Sequence, residues 1–375
     1  MVEIREVTTK KQLKLFIDYP NHLYKDVPQY IPSLYADDLA DWDREKNPAF
    51  SYCDAKAFLA YRDGEIVGRI GAILSRKANE TWNTKRMRFS QVDFIDDPEV
   101  SAALFGAVEK WALEMGCDQV HGPLGFCDLD KEGMLVKGFS EKSLFITYYN
   151  HEYYNVHLEA LGYKKDVDWV EMRIAVPQKN DPAWEKLHKI SEYVLKKGKY
   201  HKADIRKRSG YKPYLKKVFS LLNEAYAHLY GVVELTAEQV DKYSEKFIPL
   251  VNPDYCCMVM DVNEEMAGFG VGCPSLGDAM KKSSGRLFPA GWISLLKALN
   301  KNTELNLLLI AVRPELQNTG INAVIIDHIM NSCIKNGIKY AESGPQLEAN
   351  GPVISQWSSF ASKQHKRRRC YIKNL

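Results

Sequence analysis

The second half of this chain repeats the first, and that duplication limits the fold more than any other feature of the sequence. Glu65-Ile66-Val67-Gly68 recurs as Glu265-Met266-Ala267-Gly268, an offset of 200 positions. Each tetrapeptide opens the second strand of an expected hairpin. In the first half, apolar patterning predicts strands at Ala55–Tyr61 and Ile66–Leu74 around an Asp63-Gly64 turn. In the second half the expected strands are Cys256–Val262 and Glu265–Gly272, with Asn263 in the turn. A strand, a long helix and a further strand then follow in both halves. They are Arg88–Phe94, Glu99–Met115 and Gln119–Phe126 first, then Leu305–Val312, Asn322–Asn336 and Lys339–Ser343. Gly122-Pro123 and Gly344-Pro345 fall on equivalent strands. Each match alone is weak, but the shared order predicts a tandem α/β (α+β) chain.

The 375 residues suit two domains of ordinary size. The stretch around Pro177 and Pro182 reads as a linker, giving expected domains at 1–176 and 184–375 joined by 177–183. A basic helix is expected near Trp184–Lys199, and helices at Lys212–Tyr230, Thr236–Phe247 and Gly351–Ser362. The second copy carries extra sequence at Gly277–Asn300, read as a helical excursion or a mobile loop. The net charge of +3 argues against an extended nucleic-acid groove and gives no reason to expect a membrane partner. No apolar run approaches the roughly 18 residues of a membrane span. The N-terminus has no apolar leader. None of the eight cysteines forms a Cys-x-x-Cys pair. The expectation is a cytoplasmic chain with buried thiols and no metal site.

One segment carries chemistry. Leu308–Val312 is an apolar strand that enters the turn Arg313-Pro314-Glu315-Leu316-Gln317-Asn318-Thr319-Gly320-Ile321, and the helix expected from Asn322 follows. The first amides of a helix have no intrahelical partner, and with the helix dipole they suit a phosphate or pyrophosphate. Gly320 permits a close backbone approach that a Cβ would obstruct. A generic strand-to-helix turn reads the same way locally. The segment lacks the Lys-Ser/Thr of a P-loop and is not Gly-x-Gly-x-x-Gly.

The pattern Val312-x-Pro314-x-x-Gln317-x-x-Gly320-Ile321-x-Ala323 resembles the coenzyme A motif of the Gcn5-related N-acetyltransferase (GNAT) superfamily. The resemblance implies two tandem acyltransferase-like domains with mixed, mostly antiparallel sheets flanked by helices. It implies acetyl-coenzyme A, or another acyl-coenzyme A, as cosubstrate. The residues it assigns to that ligand are Val312, Arg313, Gln317, Asn318, Thr319, Gly320, Ile321, Asn322, Ala323 and Asn350. The chain departs from the family pattern at Asn322, where Gly or Ala is usual. It departs again at Trp357, which stands where the family's proton-donating Tyr follows Asn350. In the first half the corresponding turn reads Phe94-Ile95-Asp96-Asp97-Pro98-Glu99. Its carboxylates would repel a diphosphate, so that copy is expected to be degenerate.

For catalysis, Glu342 at a strand end is the expected general base, and Tyr340, of the same strand parity, the expected acid. A solvated or ion-paired Glu342 is the plainer reading. Asp128, Asp130 and Glu132 read as an acidic loop, and His121 as a packed strand histidine. Tyr148, Tyr149, Tyr153 and Tyr154 read as core or as a contact between the halves. The basic run Lys363–Arg369 reads as a solvated turn before a final strand at Arg369–Lys373. The expected function is acyl transfer from coenzyme A to the amine of a small molecule or peptide. The alternatives are a non-catalytic coenzyme-binding or regulatory module and a Fem-type tRNA-dependent aminoacyltransferase. The basic segments Lys196–Arg208 and Lys363–Arg369 would serve the latter.

Overall fold

Local signals fix most element boundaries. Thr9 and Thr236 each close a capping box, with Gln12 and Gln239, at the start of a helix. Asp97 and Asp181 cap helices that have Pro at the first turn. In the computed structural model, which describes residues 1–178 and 180–375, Lys179 of the expected linker lies outside the described residues.

In chain order the strands are β1 Glu3–Glu6, β2 Cys53–Arg62, β3 Glu65–Ser75, β4 Arg86–Phe94, β5 Gln119–Gly122, β6 Met134–Lys137 and β7 Lys164–Ala175. They continue as β8 Tyr200–Lys202, β9 Cys256–Asp261, β10 Met266–Pro274, β11 Glu304–Val312, β12 Tyr340–Ser343, β13 Gln346–Leu347 and β14 Ser362–Asn374. The helices are α1 Lys10–Leu23, α2 Tyr35–Asp41, α3 Arg76–Thr81, α4 Pro98–Glu114, α5 Tyr153–Ala160 and α6 Pro182–Lys196. After them come α7 Leu215–Tyr226, α8 Ala237–Phe247, α9 Gly277–Lys282, α10 Gly291–Asn300, α11 Ile321–Asn336 and α12 Gly351–Ser355.

The chain forms two compact units. The first is Met1–Val170 with Gly277–Ser294 and His365–Leu375, and the second is Glu171–Leu276 with Leu295–Gln364. The sequence-contiguous domains expected at 1–176 and 184–375 differ from these units, because two segments of the second half belong with the first.

Each unit has a mixed, mostly antiparallel sheet. In the first, the order is β1-β2-β3-β4-β5-β14, with β6 beside β14. In the second it is β7-β12-β11-β10-β9-β8. The parallel pairs are β4 with β5 and β11 with β12. α4 packs its Val100, Leu104 and Val108 into the first core, and α11 packs Ile321, Val324 and Ile325 into the second. The recurring tetrapeptide explains itself here. A Cβ on Gly68 would stand 2.7 Å from Leu104 of α4, and one on Gly268 would stand 2.9 Å from Ile321 of α11. In both units the helix lies directly on a glycine of the hairpin.

Both central strands also carry one extra residue. In β4 it falls between Ser90 and Asp93, where Gln91 has a φ of 41°. In β11, Val271 faces Leu309 and Gly272 faces Leu307, leaving Leu308 as the bulged residue. Such a bulge turns a strand away from its neighbour. β11 accordingly pairs with β12 only from Glu304 to Leu307, and β4 with β5 only from Arg86 to Arg88.

Several expectations are corrected. The strand expected to Phe126 ends at Gly122. The helix expected at Lys212–Tyr230 begins as a 3-10 turn, Arg208–Tyr214, containing Pro213. The Gly351–Ser362 helix stops at Ser355, where the chain turns Trp357 and Phe360 into the second core. The excursion is helical, as α9 and α10. The basic run is no solvated turn: it lies inside β14. Lys366 and Arg368 are buried and donate to the carbonyls of Lys142 and Tyr148. Arg367 and Arg369 bind the buried Asp168 at 2.8 and 2.9 Å.

The first unit also buries an ion pair that pins its bulge. Arg69 on β3 reaches Asp93 on β4 at 2.7 Å and donates to the Phe16 carbonyl, while the Tyr24 hydroxyl donates to Asp93. Burial raises the Asp93 carboxyl above its usual range, with Arg69 opposing. Removing one partner strands the other charge. Asp93→Asn is therefore expected to destabilise the first unit by about 3–5 kcal/mol in chemical denaturation, and Arg69→Met with Asp93→Leu to recover most of that loss.

Candidate functional site

The chemistry-bearing turn follows the half-open strand β11. From Leu308 to Val312 this strand pairs with β10 on one side and has no β12 partner on the other. In that stretch the Ile310 carbonyl accepts from the Tyr226 hydroxyl at 3.0 Å, a residue of α7 that sequence reasoning did not single out. Pro314–Leu316 forms a 3-10 turn, Asn318 has a φ of 63°, and Gly320 is the N-cap of α11 with a φ of 94°. Gln317, Asn318 and Thr319 are exposed. The Thr319 hydroxyl donates back to the Leu316 carbonyl.

The two equivalent helix starts differ in one decisive way. At α4, the Asp97 carboxylate accepts from the amides of Glu99 and Val100, and Arg62 binds Asp97 at 2.6 Å and Glu99 at 2.9 Å. That hydrogen bond to Arg62 holds the Asp97 carboxyl down at about 2, with the two amides adding to it. The anion site of α4 is thus filled by the chain's own carboxylate. At α11, Gly320 has no side chain to offer. Among the described residues no hydrogen bond is made to the amides of Ile321, Asn322 or Ala323. A 16-residue helix therefore ends in open donors.

The expected ligand residues divide by role. Ile321 and Ala323 bury their side chains in the core, so only their amides face the turn's chemistry. Asn322 is half-buried. Arg313 turns back, donating to the Met266 carbonyl at 2.8 Å and approaching Asp261 at 3.4 Å, where it braces the β9–β10 hairpin. Val312 ends the strand opposite Gly268. Asn350 is the N-cap of α12, and its side chain makes no capping bond. Trp357 is 3% exposed and packs in the second core.

Glu342 and Tyr340 share one face of β12, since the intervening Ala341 packs into the core under α11. Glu342 is level with Asn306, two residues before the bulge, and Tyr340 is level with Glu304. Tyr340 is therefore about 7 Å further from the open stretch. It is 42% exposed, and the Arg173 guanidinium covers its ring at 4.7 Å. Glu342 has a carboxylate oxygen within 4.8 Å of one from Glu171, a fully buried residue of β7 that sequence reasoning also missed. Its signal was faint: one of three acids in β7, with nothing local to set it apart.

Elsewhere, Asp130 folds its carboxylate onto the amides of Phe126 and Cys127, and desolvation with the neighbouring Asp128 pushes Glu132 up to about 8. His121, Asp166 and Cys370 come within 4.8 Å of one another. Arg88 and Arg86 act on His121, and these cations oppose a metal ion there. Tyr148 and Tyr149 line a polar cavity of the first unit with Asp38, Arg69, Asp93 and Lys131.

Gly320 has a further task. A Cβ there would stand 2.8 Å from Val194 and 3.3 Å from Ile190, both on α6, and the left-handed φ adds strain. α6 is held on α11 by His188, whose Nδ1 lies 3.0 Å from Asp327. Gly320→Ala should cost about 1–3 kcal/mol in a thermal or denaturant melt of the second unit. Trimming the neighbour with Val194→Ala in the same chain should not remove the part due to φ.

No known protein-family profile matches the chain. It is 28% identical over 379 residues to Protein YghO of Escherichia coli (strain K12), across 99% of this chain and 95% of that protein. It is 25% identical over 378 residues to a bacterial ceramide synthase of Caulobacter vibrioides, across 98% and 96%. Among solved structures, a tandem GNAT protein from the clavulanic acid biosynthesis pathway aligns with a TM-score of 0.57 at 11% identity, covering 100% of this chain and 98% of that one. A GCN5-related N-acetyltransferase from Sphaerobacter thermophilus aligns with a TM-score of 0.52 at 12% identity, covering 100% and 95%. Two compact units, each with a bulged and half-open central strand, thus have the tandem GNAT fold.

Proposed function

We propose that the chain is an N-acyltransferase that moves an acyl group from coenzyme A to an amine, using the second unit's turn as the coenzyme site. The observation that carries the reading is the row of open amides at Ile321–Ala323, set at the end of a strand whose other edge is unpaired. Open amides at a helix start suit a pyrophosphate. An unpaired strand edge suits the amide groups of pantetheine, which would compete with Tyr226 for the Ile310 carbonyl. The first unit has no equivalent vacancy, because Asp97 fills it.

In this reading Glu342 takes a proton from the amine, directly or through water, while the amine nitrogen attacks the thioester carbon. The carbon–sulfur bond then breaks, and the thiolate leaves with a proton. In this reading the Tyr226 hydroxyl, which sits on the open stretch, gives the thiolate its proton in place of Tyr340, which is level with Glu304. A ceramide is the amide of a fatty acid and a long-chain amino alcohol. The likeness to a bacterial ceramide synthase therefore favours a long-chain amine as acceptor and a fatty acyl-coenzyme A as donor. The tRNA-dependent alternative loses support, since the run 363–369 spends its charge inside the first unit's sheet.

Two variants test the reading. Asn322→Glu places in α11 the acid that Glu99 supplies at the same helix position of α4. A carboxylate in the first turn suits the helix, so the melting temperature should hold or rise. Acyl-coenzyme A affinity in calorimetry should fall at least about tenfold, roughly 1.4 kcal/mol. Wild type that binds no acyl-coenzyme A, or a variant that binds equally well, overturns the coenzyme site. Glu342→Gln should leave that affinity intact and lower kcat by about 100-fold or more with an amine acceptor. An unchanged kcat removes Glu342 from the chemistry.

A further inference from the structure

The segment between Asp278 and Glu304 is unbalanced in charge and reaches the surface. Its 25 residues hold Lys281, Lys282, Arg286, Lys297 and Lys301 and no acid. It also holds a dense group of exposed apolar side chains. Phe288 is 79% exposed, Trp292 45%, Ile293 42% and Leu296 42%. Three of these occupy one face of α10 at i, i+1 and i+4, while Leu299 turns inward and is 2% exposed. Lys297 and Lys301 flank that face in sequence, and Lys282 is exposed on the other side of Phe288.

This display is held, not loose. Lys281 donates to the Val27 carbonyl, and the Tyr35 amide donates to the Gly285 carbonyl. Arg286 binds Asp18 at 2.9 Å and lies over the Tyr35 ring at 4.4 Å. A polar anchor on one side therefore leaves an aromatic and aliphatic face to the outside. A folded chain keeps such a face exposed where something covers it.

We infer that residues 282–301 form an interfacial docking surface for an anionic lipid bilayer. Charge selects this occupant. The lysines complement acidic headgroups, and a Trp, Phe, Ile and Leu face beside lysines is the composition of a helix that lies in the plane of the interface. A helix of ten residues is too short to cross, so the contact is peripheral. It would place the protein beside lipid-soluble molecules. The inference stands on this segment alone and does not require the acyl-transfer reading.

Flotation of the full chain with vesicles tests it, using phosphatidylcholine alone and phosphatidylcholine mixed with phosphatidylglycerol. Wild type should float with the anionic vesicles only, and less so as salt rises. Lys282→Glu with Lys297→Glu and Lys301→Glu should weaken binding by roughly 100-fold, about fivefold per lysine. Phe288→Asp with Trp292→Asp should abolish it. All five positions are exposed, so either set is informative if the other fails to fold. Wild type that ignores anionic vesicles, or variant sets that float like wild type, overturns the inference. So does a wild-type dimer, broken by the Phe288 and Trp292 changes, that shows no affinity for vesicles, because the face then serves another copy of the chain.

Discussion

One extra residue in each central strand governs what both units can do. An antiparallel hairpin and a parallel neighbour cannot both follow a strand that bulges. β11 stays with β10 through Val312 and leaves β12 after Leu307, and β4 stays with β3 and leaves β5 after Arg88. The freed edge and the helix start beyond it lie in direct sequence. An unpaired strand edge and a row of helix amides are both backbone features, so neither requires a particular side chain. The glycines at 68 and 268 complete the device by letting α4 and α11 lie close on the hairpin.

Electrostatics then separates the two copies. Both helices begin at the same place in the fold with the same dipole. In the first unit that dipole is satisfied internally, by Asp97 and the Arg62 that binds it. In the other, Gly320 offers no side chain to the helix start, and Arg313 is turned toward the Met266 carbonyl and Asp261. Duplication thus produced one helix start capped by its own carboxylate and one without a side-chain cap.

The halves, the hairpins, the long helices and the turn before α11 were legible in the sequence because each rests on short-range patterning. Thr236 before α8 and the Asp63-Gly64 turn are local statements. Strand pairing is not. Nothing near Lys363–Arg369 reveals that Asp168 lies opposite Arg367 and Arg369 in space, so a basic run that is buried reads as a solvated one. The open Gly320 was readable as a conformational need, but its packing against Val194 and Ile190 depends on where α6 folds back. Glu171 was silent for the same reason: one acid among the three of β7 means little until β12 brings Glu342 beside it. Trp357 shows the opposite case. By alignment it marks a missing acid, while the structure uses that residue as core.

The same logic explains why total charge is a poor guide to surfaces. A net charge of +3 is a sum over groups with very different surroundings. Four basic residues of β14 are held inside the fold, by the Lys142 and Tyr148 carbonyls and by Asp168. The basic residues between Asp278 and Glu304 have no acid among them in sequence, and Arg286 meets one through the fold, at Asp18. By sequence alone the β14 run reads as a solvated turn, yet it is scaffold. The segment before β11 reads as a mere insertion, yet it carries the exposed charge. Local charge after folding, not composition, decides which surface meets a partner, and here it shifts attention from the chain's end to that excursion.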